Sequence, residues 1–240
     1  KTLVAPVMTY VPEGSWENPS GHMTKPGTIT LPDDRFLEVL LNAGKSFKGS
    51  GFKNIIYIGE SGGNQNGMRD AAAKLNELWK GEAKAYWIGD YYTKSHNEQN
   101  KWITDHMGIP ADKIGGHANL LDTSELLFVN PKHVRKNRLT GNDYENNGTS
   151  GDPAKSTPEM GKIFVQIKID NALAQIKGMM AGTYQAPAPA QRGAGGRGGG
   201  AAADDSGGGA RGGGARGGAR GRSEEHTSEL QSRFGISYAV

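Results

Sequence analysis

Apolar and polar positions alternate in two periods through residues 1–180. LVAPVMTYV (residues 3–11) is a β-rich run closed by Pro12 and Gly14, and it predicts a first strand. DDRFLEVLLNAGKSF follows, with Phe36, Val39, Leu40, Ala43 and Phe47 at helical spacing behind two acids, and predicts a helix. KNIIYIG (53–59) is apolar on both faces and predicts a buried strand, with a helix over MRDAAAKLNELW after it. AKAYWIGDYY is a third strand, and NEQNKWITDHMG a third helix that Gly108 stops and Pro110 follows. Another helix is expected from near Asp122. The last opens at Thr157-Pro158-Glu159 and places Val165, Ile169, Ala172, Leu173, Ile176 and Met180 on one face. Strands and helices in alternation predict an α/β fold with a mostly parallel sheet covered by helices on both sides.

Composition changes this picture at one place. Between Gly193 and Arg222 fifteen of thirty residues are glycine and most others Ala or Arg, too little apolar surface to offset the entropy of ordering. Three segments result: a folded domain over 1–183, a disordered Gly/Arg/Ala-rich tail over 184–222, and 223–240, which reads as translated adapter sequence rather than evolved protein. The tail is similar to RGG-type RNA-binding segments, in which arginines stack on bases, yet from Gly193 on no aromatic appears before Phe234. From Arg192 onward seven arginines face five acids, so of the net charge of +3 only +1 belongs to residues 1–191. The folded part carries no broad basic footprint, and nucleic acid is not its expected partner.

There are no cysteines, which excludes disulfides, zinc ribbons and thiol nucleophiles. No run of about 18 apolar residues is present, so no membrane helix is expected. A soluble protein follows, cytoplasmic, or periplasmic if an export signal precedes Lys1.

Ligands in open α/β sheets bind at the carboxyl ends of the strands, and the chemically able residues gather at those expected ends. Glu17 and His22 lie in a Gly- and Pro-rich loop after the first; GESGGNQNG, a turn whose free N–H groups suit an anion or carbonyl oxygen at a helix start, follows the second. Asp90 ends the third, and His117 and Asp122 come after it. Asp122 with Glu125 three residues on also reads as a capping box. His96, His106 and His133 sit on polar helix surfaces and read as solvated, without a role.

These stretches together resemble the creatininase (creatinine amidohydrolase) family. PEGSWENPSGH with PGT after it is similar to that family's Pro-x-Gly-Ser-x-Glu loop, its following His and its Gly-Thr; GFKNIIYIGESGGN is similar to its strand ending in Asn-Gly-His-Gly-Gly-Asn. HANLLDTSELLFVNP resembles its His-Ala-Gly-x-x-Glu-Thr-Ser segment, and GTSGDPAKSTPEMGK its Gly-Asp-Pro-x-x-Ala-Thr-x-Glu-x-Gly segment. The resemblance implies a three-layer α/β/α sandwich, a homo-oligomer, often a hexamer, and metal-dependent hydrolysis of small or cyclic amides. It matches Glu17 to the first acidic ligand, His117 to the histidine near the substrate and Asp122 to its nearby acid. Three ligand positions of the pattern fall on Pro19, Ile29 and Ser61. With Ile29 where a carboxylate would bridge two cations, the expectation is one divalent ion, Zn²⁺ or Mn²⁺, held by Glu17, His22, Glu60 and His117. His117, Asp122 and Glu60 are then the acid–base groups, and Gly62 and Gly63, with Ser61 and Asn64, the oxyanion and substrate contacts. Two other readings stay open: a metal-free small-molecule binding protein on the same fold, and an RNA-binding protein acting through its tail.

Overall fold

The computed structural model describes residues 2–185, all within one compact unit. The expected tail and the 223–240 segment lie outside the described residues, apart from the tail's first two positions. In chain order the elements are α1 (Asp33–Gly49), β1 (Asn54–Tyr57), α2 (Gly62–Trp79), β2 (Lys84–Trp87), α3 (Thr93–Met107), α4 (Ala111–Ile114), α5 (Leu120–Val129), α6 (Tyr144–Asn147) and α7 (Pro158–Ala181).

β1 and β2 pair in parallel, Asn54 opposite Lys84 through Tyr57 opposite Trp87. Side chains alternate across a strand, so Ile55, Tyr57 and Ala85 enter one core and Ile56, Tyr86 and Ile88 another. On the first face α1 and α2 supply Phe36, Leu40, Met68, Ala71, Leu75 and Trp79. Gly44 permits that packing, because a Cβ there would lie 2.5 Å from both Leu75 and the Tyr57 hydroxyl. On the second face α7 lays Ala172 and Ile176 over the strands. Helix, sheet and helix form three layers, as the alternating pattern predicts. A third cluster, built on Ile103, Ile114, Leu120, Leu121 and Phe164, joins α3, α4, α5 and α7.

Two expectations are corrected. Residues 3–11 form no strand: they pair with no neighbouring strand, Pro6 removes a donor from the middle, and only Val11 is buried in the core with Met8 packed beside it. Among the described residues the sheet therefore has two strands. The face of α7 is also rotated from the apolar stripe. Phe164, Lys168, Asn171, Ala172 and Gln175 are buried, whereas Ile169, Leu173 and Met180 are 43%, 45% and 52% exposed. Polar partners decide this: Asn171 Nδ2 donates to Glu98 Oε2 at 2.8 Å, and Gln175 Oε1 accepts from the Asp90 N–H at 2.8 Å. Buried hydrogen bonds and ion pairs on one side outweigh the exposure of a few apolar side chains on the other. No helix among the described residues is long and apolar enough to cross a membrane.

Candidate functional site

Two clusters of titratable side chains contain the sequence candidates. The first lies in the loops. His22, in the short turn Gly21–Thr24, bonds through Nδ1 to the Glu13 carboxylate. Its ring meets His117 edge-on, centroids 4.8 Å apart, and His117 stacks on Tyr144 at 5.9 Å. The hydrogen bond to Glu13 raises the pKa of His22 above 6.5, against the effect of burial. Burial, followed by the charge of His22, lowers that of His117. Two imidazoles in contact are thus pushed apart in acidity.

The His117 loop is held in a tight shape. Gly115 has φ +82° and Ala118 φ +48°, the latter in a region that costs a residue with a Cβ. Ser150 clamps one side: its N–H donates to the His117 carbonyl at 2.9 Å and its Oγ accepts from the Gly116 N–H at 2.9 Å. Asp122 clamps the other, its carboxylate accepting the Ala118 N–H at 2.8 Å. The expected cap is corrected here. Asn119, not Asp122, caps α5, its Oδ1 accepting the Asp122 N–H at 2.9 Å, while Asp122 reaches back from the first turn. Glu125 is not the partner of a capping box; it points into the interior.

That interior holds the second cluster, at the carboxyl ends of β1 and β2. Lys168 of α7 is 3% exposed, and its Nζ donates to Glu60 Oε1 and to Glu125 Oε2, each at 2.6 Å. His96 Nε2 stands 3.4 Å from Glu60 Oε1, within ion-pair range but without hydrogen-bond geometry, and its ring lies 4.6 Å from Tyr92. His96 is therefore part of the cluster rather than a solvated surface residue. Gln99 Nε2 donates to Glu125 Oε1 at 2.8 Å. Burial pushes Glu125 up to about 7, the charges of Glu60 and Asp122 adding to the rise and Lys168 opposing it. Burial also pushes Asp122 up, against Lys168 and His96. In Glu60 the same burial is outweighed by His96 and Lys168, and its carboxyl titrates below the usual range.

The remaining candidates are placed as follows. Glu17 stands exposed in the turn over residues 16–19. Gly62 and Gly63 open α2 behind Ser61, which provides no side-chain cap. Gly62 lies against Tyr92, whose hydroxyl would be 3.4 Å from a Cβ there, and Gly63 backs onto the chain, where a Cβ would lie 2.3 Å from the Pro12 carbonyl oxygen. Asn64 is buried. Asp90 Oδ1 accepts from the Tyr184 hydroxyl at 3.0 Å.

The four residues expected to hold a cation do not meet. His22 and His117 touch, Glu60 is bound to Lys168, and Glu17 is exposed. Among the described residues no group of three or more His, Asp or Glu side chains is arranged to hold a metal. The residues present do not fit a resident divalent ion at the expected position. Sequence reasoning missed Glu13, Tyr92, Gln99 and Lys168. Glu13 adjoins Gly14 in the quoted motif and carried a signal; Lys168 carried none, being one lysine in a helix rich in polar positions.

The family model for creatininase, described as creatinine amidohydrolase, matches residues 1–176. The chain belongs to the creatininase family. Solved creatininases are similar in structure. One described as creatinine amidohydrolase (creatininase) is 14% identical, covers 71% of this chain and 72% of its own, and superposes with a TM-score of 0.49. A substituted creatininase of Zn-Zn type is 15% identical over 70% and 72%, with a TM-score of 0.47. No curated protein sequence matches the chain.

Proposed function

We propose that this creatininase-family chain hydrolyses the C–N bond of a small amide or lactam, with the His22–His117 pair moving the protons. One observation carries the reading: two imidazoles in contact with opposed shifts, the pKa of His22 raised by its hydrogen bond to Glu13 and that of His117 lowered by burial. His117 takes a proton from the attacking water as the C–O bond forms. His22 gives one to the leaving nitrogen as the C–N bond breaks, and the two rings then exchange a proton to reset. Asp122 and Ser150 act through the backbone, fixing the loop that presents His117.

The sign of the pH dependence follows. His117 is a base only above its lowered pKa and His22 an acid only below its raised one, so kcat/KM describes a bell spanning the ordinary histidine value of 6.5. The assay is release of the amine from creatinine and a panel of small linear and cyclic amides, across pH 4–10. His117→Ala is expected to lower kcat/KM by about 10²–10⁴-fold and leave the melting temperature within a few degrees. A panel that is uniformly inert, or a variant that keeps its activity, overturns the proposal. The internal neutralisation of Glu60 by Lys168 favours the metal-free binding protein as the second reading, supported if the inert chain still binds an amide in calorimetry.

A further inference from the structure

This chain brings a side-chain cation to its own strand ends. Two carboxylates, Glu60 from the end of β1 and Glu125 from α5, converge on one ammonium at equal distances of 2.6 Å. Asp122 and His96 complete the electrostatic surroundings, and Tyr91 faces the ammonium with its ring centroid 5.8 Å away. We propose that Lys168 serves as the built-in cation of this site, occupying the space between Glu60 and Glu125 that a divalent ion would need and neutralising the carboxylates from within.

The physical case rests on the cost of the arrangement. A buried ammonium loses several kcal/mol of hydration unless well-placed oxygens replace water, and α7 offers apolar residues that could have faced inward instead. Lys168 is nevertheless turned into the interior, and both of its named oxygens belong to acidic side chains. Burial lowers its pKa, but Glu60 and Glu125 more than restore it, so the ammonium stays charged throughout the neutral range. In the opposite direction, three acids packed together would repel one another without a positive charge among them. One Glu60 oxygen, Oε2, is buried without a hydrogen-bond partner, so the carboxylate keeps one free ligating atom. Removing the lysine therefore leaves Glu60 Oε1, Glu60 Oε2 and Glu125 Oε2 around a vacated position, with His96 and Asp122 adjacent: oxygen and imidazole donors that suit Zn²⁺ or Mn²⁺. The inference goes beyond the proposed hydrolase reading, since it is tested by cation binding rather than by turnover.

The test uses the full chain, stripped with chelator and desalted. In calorimetry the Lys168→Ala variant is expected to bind one Zn²⁺ per chain at least about tenfold more tightly than the wild type does, and Zn²⁺ should raise its melting temperature. Adding Glu125→Gln to that variant should abolish the gain. In the wild type, ¹⁵N-lysine NMR should show a slowly exchanging ammonium, assigned to Lys168 by its absence in Lys168→Met, that survives excess Zn²⁺. Loss of that signal on adding Zn²⁺ overturns the proposal, because the metal would then be displacing the lysine. So does a Lys168→Ala variant that folds and gains no affinity. If the alanine variant does not fold, the wild-type NMR experiment decides alone.

Discussion

Replacing Glu125 by glutamine isolates one term in the pH dependence of stability. Glu125 is raised from 4.5 to about 7, first by burial and then by Glu60 and Asp122, while Lys168 opposes. A carboxyl whose pKa is higher in the folded protein binds its proton more tightly there. Between pH 4.5 and about 7 the folded state consequently holds more protons than the unfolded one, and stability falls as pH rises. The interval corresponds to about 3 kcal/mol at 1.36 kcal/mol per decade of proton affinity. Glutamine cannot titrate, so Glu125→Gln removes this slope. Its amide oxygen can still accept from Gln99 Nε2, but its NH2 then faces the Lys168 ammonium, which donates to Glu125 Oε2 in the wild type. That mismatch costs stability equally at both pH values and cancels in the comparison. Urea unfolding at pH 5 and pH 8 supplies the four free energies. Because pH 5 already lies above 4.5, wild type should lose about 2.5 kcal/mol more than the variant between the two. His22, raised by Glu13, and Asp122, raised by burial, contribute slopes of the same sign in both proteins. Equal slopes in wild type and variant, or a wild type more stable at pH 8 through this residue, would refute the assignment of a neutral-range pKa to Glu125.

Two structural predictions accompany it. Gly161→Ala brings a Cβ to 1.9 Å from the Ser124 carbonyl oxygen, where α7 crosses α5; backbone must shift, and unfolding should show a loss at the upper end of the usual overpacking range, about 3 kcal/mol, with an unchanged wild-type stability sinking the close-approach argument. Asn119→Ala removes the side-chain cap of α5 and should cost about 1 kcal/mol, read as a shift in urea midpoint, whereas Asn119→Asp should restore most of it if the cap is the reason.

The layered order of the fold was legible along the chain. Ile55, Ile56, Tyr57 and Ile58 are apolar on both faces, so their strand had to lie between helices, and Gly108 in a left-handed conformation ends α3, where local backbone freedom alone sets the stop. His22 and His117 were legible as candidates because histidines in glycine-rich loops have few structural uses. Their contact was not, because 95 positions separate them in sequence and only the folding of two loops brings the rings together. Residues 3–11 show the limit from the other side: β propensity is a property of the segment, but a strand exists only when a neighbour accepts its hydrogen bonds. Lys168 is the clearest case. Nothing at position 168 distinguishes it from a solvated helix lysine, and its burial is decided by Glu60 and Glu125 arriving from β1 and α5. The sequence by itself determined which residues could be inside a helix or a strand and which could do chemistry. The tertiary structure decided which of them met, because the energy of a buried charge depends on partners that are distant in sequence and within 3 Å in space.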